Sequence, residues 1–433
     1  MSEFEKHTFF ERRVRPLQRV HAWGKVLGPG LITGASDDDP SGILTYLQAG
    51  VVLGFRALWT ALLTLPLMYG IQEMCGRIGY VTQKGLIRLV KEHYVRPVLY
   101  TLALVSILVI VMNIGADILA IGVVLETLTG LTRFLWLPAA GALILLSTIF
   151  FSYRRFAKVL KWFTLSLLFY VVTVFFIHLD WPTALRATVV PYFAFSKDWA
   201  LIVAAILGTT ISPYLFFWQA NEEIEEEEES ARENAGVAVD IPAQLTNLKW
   251  DTFSGMLFSN VVTWFIIAGA SELNQRHGIA LIVNFEQAAL VLKPLLGNLA
   301  YLAFSLGILG TGLLAIPVLA GSVGYALAET FGIDEGMNKH FSEARGFYLA
   351  IIGATVAGIL LSFLGVDPVT LLVYTAVFYT IITPPLIFII LRLANNKQVM
   401  REHANGRWSN TLGWLTFALM TASAVVYLGS LFV

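Results

Sequence analysis

The sequence predicts an all-α integral membrane protein of about eleven transmembrane helices, built from two five-helix repeats of opposite orientation. Three observations predict this fold class: few charged residues, eleven long apolar stretches, and two interrupted stretches at corresponding places in the two halves. The chain has 433 residues, 57% hydrophobic and 14% charged, with a mean hydropathy of +0.70. Soluble domains carry about 25% charged residues, so we expect most of this surface to face a lipid bilayer.

Composition also excludes several classes of protein. The formal net charge of -1 leaves no basic surface for nucleic acid. The single cysteine, Cys75, cannot form an intramolecular disulfide. Residues 1–25 are polar and lack the apolar core of a removable signal peptide, so we expect them to form a cytoplasmic N-terminal segment. No cofactor motif is present, and the oligomeric state is left open, with a monomer compatible with the sequence.

Apolar length sets the domain organisation, because a spanning helix needs about 20 mostly apolar residues. The candidate spans run over roughly 26–54, 56–76, 98–125, 136–153, 160–179, 199–220, 250–271, 296–328, 345–364, 369–393 and 410–432. Spans 1 to 5 form the first predicted repeat, 26–179, and spans 6 to 10 form the second, 199–393. The segment 410–433 is the added eleventh span.

The distribution of basic residues predicts the orientation. They concentrate at the N-terminus and in the connections between spans 2 and 3, 4 and 5, and 10 and 11. These residues are Arg12, Arg13, Arg15, Arg19, Lys84, Arg88, Lys91, Arg96, Arg154, Arg155, Lys158, Lys161, Lys397, Arg401 and Arg407. The positive-inside rule then places the N-terminus in the cytoplasm and the C-terminus outside, in a plasma (inner) membrane.

An acidic run interrupts this pattern between spans 6 and 7. The string "NEEIEEEEESARE" carries eight glutamates between 222 and 233. We interpret 221–249 as a solvated, self-repelling cytoplasmic loop. A mouth that attracts cations is the alternative.

Spans 1 and 6 are both interrupted. Span 1 contains "GASDDDPSG", in which Pro40 follows three aspartates, and span 6 contains "LGTTISPYLFFWQA", with Pro213. Proline removes an amide donor and breaks a helix. Two interrupted segments at matching positions of two halves indicate the binding site of a transporter. Ordinary proline kinks are the alternative, but they do not account for the aspartates.

Carboxylates inside a membrane are costly, so Asp37, Asp38 and Asp39 are candidates for function. Freed carbonyls at an unwound point add further oxygen ligands. Carboxylate, carbonyl and hydroxyl oxygens are the ligands that Mg²⁺ and Mn²⁺ prefer. The residues alone therefore predict a cation transporter with a broken-helix core.

The string "GPGLITGASDDDPSGILTYLQAG" resembles the first helix of the NRAMP family of divalent-metal transporters. That family shows G-P-G, eight residues, D-P-G-N and later L-Q-A-G, a spacing kept here from Gly28 to Gly50. The resemblance implies eleven or twelve spans in a LeuT-type 5+5 inverted repeat with discontinuous helices 1 and 6. It also places the family's metal-binding aspartate at Asp39.

Several positions depart from the family pattern. The family asparagine falls on Gly42, the methionine of A-x-x-M-P-H on Ser212, its histidine on Tyr214, a second histidine on Gln219, the glutamate of D-x-x-E on Ala120, and a span-10 glutamine on Ala376. Loss of a thioether removes a soft ligand that favours late transition metals. The pattern therefore resembles the NRAMP-related magnesium transporter branch, carrying a partly hydrated Mg²⁺ with Mn²⁺ tolerated. Loss of both histidines and the glutamate predicts weak or no proton coupling.

Asp39 is the first predicted ligand. Asp37 and Asp38 would bind through water, line a vestibule, or cap freed amides. Thr209 would bind through its carbonyl and Ser212 through its hydroxyl or a water, unless these hydroxyls only satisfy broken backbone.

Two further residues are candidates with structural alternatives. Tyr214 occupies the histidine position, with packing as its alternative. Asp117 would line an inner cavity, or hydrogen-bond a neighbouring helix together with Asn113.

Rival functions remain at this stage. A proton-coupled Mn²⁺/Fe²⁺ transporter of the NRAMP type and an organic-solute transporter of the same fold are both compatible with broken helices. A metal-binding sensor without flux is also open. A membrane enzyme is disfavoured because the chain has no H-E-x-x-H, G-x-S-x-G, P-loop or CxxC motif. The expected partners are a divalent metal ion, as substrate rather than cofactor, and the lipid bilayer.

Overall fold

The computed structural model describes residues 29–150, 167–233 and 241–432, and these contain helices, turns and connecting segments but no strand. The longer helices are α1 (Pro29–Asp37), α2 (Pro40–Leu53), α3 (Leu58–Thr82), α4 (Leu86–His93), α5 (Arg96–Thr129), α6 (Arg133–Phe150), α7 (Leu168–Val174), α8 (Trp181–Val189), α9 (Lys197–Thr210), α10 (Pro213–Glu233), α11 (Ile241–His277), α12 (Phe285–Ala289), α13 (Lys293–Leu296), α14 (Ala300–Phe331), α15 (Arg345–Ser362), α16 (Pro368–Asn395), α17 (Lys397–Met400) and α18 (Arg407–Ser430).

Nine helical stretches of the described residues are long and apolar enough to cross a membrane. One of them, Pro40–Thr82, combines the second half of predicted span 1 with predicted span 2. Predicted span 5 lies partly, and the N-terminal segment 1–25 wholly, outside the described residues. The predicted fold class, all-α with many membrane spans, is confirmed.

Both predicted helix breaks are present. Helix α1 ends at Asp37 and α2 begins at Pro40, with Asp39 as its N-cap; helix α9 ends at Thr210 and α10 begins at Pro213. Each second half begins with a proline, whose missing N–H costs nothing at a first helical position. The backbone between the halves is therefore unwound at two places in the interior.

Glycines allow the broken helices to pack closely on their neighbours. A β-carbon at Gly34 on α1 would lie 2.3 Å from the carbonyl oxygen of Gly255 on α11. A β-carbon at Gly208 on α9 would lie 1.8 Å from the carbonyl oxygen of Ala376 on α16. Any side chain at these positions would force the helices apart, so the glycines fix each first half-helix against a long continuous helix.

The acidic run is not a solvated loop, and that prediction is wrong for the part the structure describes. Helix α10 continues to Glu233, and α11 already begins at Ile241. Glu222 and Glu223 are buried. Glu225 accepts hydrogen bonds from Tyr325 Oη at 2.5 Å and from the backbone N–H of Met337 at 2.7 Å. These hydrogen bonds stabilise Glu225 within the helix, against the repulsion between neighbouring glutamates that the charge pattern alone suggested.

Candidate metal-binding site

Asp39 lies at the break in the first span and is only 2% exposed. Its Oδ1 accepts a hydrogen bond of 2.7 Å from the backbone N–H of Gly42, and its Oδ2 accepts one of 2.8 Å from Asn113 Nδ2 on α5. An ionised carboxylate offers about four acceptor positions. Acceptor capacity therefore remains for another ligand, and the donors hold the carboxylate in one orientation.

Three oxygen atoms surround the empty side-chain position of Gly42. A β-carbon there would lie 3.0 Å from the carbonyl oxygen of Asp37, 3.4 Å from Thr209 Oγ1 and 3.5 Å from Asp39 Oδ1. We call this space the Gly42 cradle. It brings together oxygens from both helix breaks, because Thr209 lies at the end of α9. Carboxylate, carbonyl and hydroxyl oxygens are hard ligands that suit Mg²⁺ and Mn²⁺.

The side chains of the three adjacent aspartates divide into two groups, Asp37 and Asp38 beside Ser259 and Asp39 beside Asn113. The carboxylates of Asp37 and Asp38 meet the Ser259 hydroxyl on α11, which donates to Asp37 Oδ2 at 2.7 Å and lies 3.2 Å from Asp38 Oδ1. Asp37 thus presents its carbonyl to the cradle and its carboxylate to Ser259. Of the three side chains, only that of Asp39 is among the oxygens of the cradle.

Asp117 lies beside Asp39 rather than apart from it. Asn113 Nδ2 is 3.3 Å from Asp117 Oδ2, so one amide lies between the two carboxylates. Both Asn113 and Asp117 are completely buried. Sequence reasoning placed Asn113 only as a hydrogen-bond partner of Asp117. The polar i,i+4 pair inside a very apolar helix was the available signal for a role at the site.

Ser212 and Tyr214 make contacts within the broken-helix core. Ser212 Oγ donates toward the carbonyls of Thr209 at 2.7 Å and Gly208 at 2.8 Å. This is the alternative in which the hydroxyl satisfies backbone freed by the break. Tyr214 Oη donates a 3.0 Å hydrogen bond to the carbonyl of Ser36, which ties α10 to α1.

Further polar contacts hold α1 against α10 and α11. Thr33 Oγ1 donates a 2.7 Å hydrogen bond to Gln219 Oε1, and Gln219 Nε2 donates at 2.8 Å to Glu223 Oε1. At the start of α1, the N–H of Gly30 donates at 2.6 Å to Asp251 Oδ2. Gln219, at the position of a family histidine, therefore joins the two broken spans without a titratable ring.

No three His, Cys, Asp or Glu side chains within the described ranges converge on one point to hold a metal ion. None of the described ion pairs includes Asp37, Asp38, Asp39 or Asp117. The donor set that fits a cation is therefore one carboxylate with carbonyl and hydroxyl oxygens. Water would complete the shell of Mg²⁺, which dehydrates reluctantly.

Two discontinuous helices that meet at buried, unpaired carboxylates define a transporter of the broken-helix class. The sequence profile of the Nramp family, described as Natural resistance-associated macrophage protein-like, matches residues 30–430, and the chain belongs to this family. This match confirms the family resemblance found in the sequence. It also confirms the predicted class of protein, a transporter rather than an enzyme.

Relatives and solved structures resemble the chain over most of its length, and the solved structures share its fold. The chain is 23% identical over 406 residues to the divalent metal cation transporter MntH of Klebsiella pneumoniae, covering 92% of each chain. It is similar in structure to a manganese transporter of Eremococcus coleocola, with a TM-score of 0.72, 17% identity, and coverage of 94% of this chain and 87% of that one. A Na⁺-coupled sialic acid symporter matches with a TM-score of 0.55 and 10% identity over 92% of this chain and 89% of that one. The predicted LeuT-type architecture is thereby confirmed.

Proposed function

We propose that this protein transports divalent cations across a plasma (inner) membrane, with Mg²⁺ as the main substrate and Mn²⁺ tolerated, and with weak or no proton coupling. The Gly42 cradle carries the proposal. Three oxygens, from Asp37, Thr209 and Asp39, face a space without a side chain at the meeting point of two broken helices.

The relatives support the coarser part of the proposal. They include proteins named divalent metal cation transporter and manganese transporter. Within the cradle, the finer preference follows from ligand chemistry. The three atoms nearest the Gly42 position are all oxygen, and a site without a thioether does not favour a late transition metal over Mg²⁺.

The proposal of weak proton coupling rests on the residues at the positions of the family's histidines and glutamate. Tyr214 and Gln219 make hydrogen bonds between helices, and the span-3 position of the family glutamate is Ala120. A membrane potential of 100 mV, negative inside, supplies about 4.6 kcal/mol when two positive charges move inward. That energy suffices for accumulation without a proton gradient.

The test is metal flux in proteoliposomes that contain a metal indicator and a pH dye. Wild type should take up Mg²⁺ and, more weakly, Mn²⁺, with no metal-stimulated acidification. Asp39→Asn removes the carboxylate charge of the cradle and should abolish uptake of both ions. The exposed Asp198 at the start of α9 provides the matched control, since Asp198→Asn should transport normally.

Each alternative has its own signature in this assay. Uptake that persists in Asp39→Asn would refute the site. Acidification that accompanies Mn²⁺ uptake, with little Mg²⁺ flux, would establish the alternative of a proton-coupled Mn²⁺/Fe²⁺ transporter. Absence of any divalent flux in wild type would refute the function.

A further inference from the structure

A second group of buried oxygens contains the carboxylate of Asp37 rather than its carbonyl. Asp37 and Asp38 are both completely buried, and a single hydroxyl, that of Ser259, faces both carboxylates. One hydroxyl has one proton to donate. Asp37 Oδ1 and Asp38 Oδ2 have no hydrogen-bond partner among the described residues.

Two more hydroxyls adjoin this pair. Tyr46 on α2 is fully buried, its hydroxyl is within range of electrostatic interaction with the carboxylates of Asp37 and Asp38, and its hydrogen-bond partner is Thr263 on α11. Within the described part of the chain, neither hydroxyl has any other hydrogen-bond partner. The Tyr46 side chain therefore adds an uncommitted oxygen to the group.

Within the described ranges, no basic side chain balances the charge of this group. No Lys, Arg or His forms an ion pair with Asp37 or Asp38 among the described ion pairs. Two neighbouring carboxylates in a low-dielectric interior repel each other strongly, and a buried charge is costly unless it is paired or coordinates a metal. A cation between them removes both costs.

We propose that Asp37 and Asp38, with the hydroxyls of Ser259 and Tyr46, form a second pocket that binds one divalent cation of the same hard class as the transported ion. The proposal rests on the proposed function. All donors of the pocket are oxygen, and its two carboxylates match the charge of a divalent ion. The pocket is distinct from the cradle because the cradle takes the carbonyl of Asp37 and the pocket takes its carboxylate.

Two neighbouring ion positions that share Asp37 have a consequence for transport. Ions that occupy neighbouring sites repel each other, so an ion entering one position weakens the hold on the ion in the other. The pocket would thus help to release an ion that Asp39 would otherwise retain.

The test is the stoichiometry of Mn²⁺ bound to the purified full-length protein in detergent, followed by the loss of the free-Mn²⁺ electron paramagnetic resonance signal. Wild type should bind two ions in successive steps. Asp38→Asn and Ser259→Ala should each lose or weaken one step. Asp39→Asn should lose the other step and keep the pocket, and Asp198→Asn should bind as wild type does.

The outcomes separate this proposal from the proposed function. A single Mn²⁺ that Asp39→Asn removes and Asp38→Asn leaves in place would overturn the second pocket while supporting the cradle. Two ions that survive in both Asp38→Asn and Ser259→Ala would also overturn the pocket. Ser259→Ala keeps both carboxylates, so it tests the pocket even if Asp38→Asn fails to fold.

Discussion

Asn113 donates a hydrogen bond of 2.8 Å to Oδ2 of Asp39, across 74 residues of sequence. This contact turns the carboxylate so that Oδ1 faces the Gly42 cradle and Thr209. An amide donor leaves the carboxylate charged without pairing it with a cation. Asn113 therefore acts as a positioning residue for Asp39, and the geometry of the cradle depends on α5 as well as on the two broken spans.

Replacing Asn113 tests this role. Asn113→Ala removes the donor and lets the Asp39 carboxylate rotate, so we expect metal affinity to fall by about 10- to 100-fold, as for other groups that orient metal ligands. The half-saturating Mg²⁺ concentration in proteoliposome flux measures the effect. Asn247→Ala, at an exposed position on α11, should leave it unchanged. An equal half-saturating Mg²⁺ concentration in wild type and Asn113→Ala would show that Asn113 does not position the metal ligand.

Filling the cradle should stop transport without unfolding the protein. In Gly42→Ala the new methyl group would lie 3.0 to 3.5 Å from the oxygens of Asp37, Thr209 and Asp39, so these neighbours must move by only a few tenths of an ångström. We expect Mg²⁺ uptake to be lost while the melting temperature stays close to that of wild type. Gly353→Ala is the control, because nothing lies within 4 Å of a β-carbon there. Normal Mg²⁺ uptake in Gly42→Ala would show that the ion passes elsewhere.

The helix breaks and the place of Asp39 at one of them could be predicted from the sequence because they are local features. Proline and glycine act on their own backbone, and a buried carboxylate is conspicuous in an apolar span. The division of the three aspartates was not readable, since Ser259 meets Asp37 and Asp38 from 222 and 221 residues away. The acidic run was misinterpreted for the same reason: charge spacing does not reveal the Tyr325 and Met337 donors that face Glu225.

The contact of Gln219 with Thr33 should contribute to stability. Gln219→Leu removes the hydrogen bonds of Gln219 to Thr33 and Glu223, and each lost hydrogen bond costs about 0.5–1.5 kcal/mol. We expect a lower melting temperature in detergent, whereas exposed Gln398→Leu should melt like wild type. Because the hydrogen bond between Thr33 and Gln219 joins α1 to α10, the backbone amides of α1 should exchange hydrogen faster in Gln219→Leu than in wild type. An unchanged exchange rate in α1 would show that the bond does not hold this half-helix.

Glu335, which follows α14, should make stability depend on pH. Burial, together with the nearby Glu329 carboxylate, raises the pKa of Glu335 from 4.5 to about 8. At a pH between these two values, Glu335 is protonated in the folded protein and ionised in the unfolded chain. The free energy of unfolding therefore falls as pH rises from about 5 to about 8, by at most about 1.4 kcal/mol per pH unit. Below that window both states are protonated, and above it both are ionised.

Glu335→Gln removes this titration and keeps the shape of the side chain. The variant should therefore match wild type near the lower end of the window and melt at a higher temperature near its upper end. The comparison is the difference between the two melting temperatures as a function of pH, because carboxylates that do not interact with Glu335 titrate equally in both proteins. Glu402→Gln, whose side chain is 85% exposed, should show no such difference. A constant difference between wild type and Glu335→Gln across the window would mean that Glu335 is already ionised in the folded protein, and that the charges of Arg88 and Lys339 outweigh its burial.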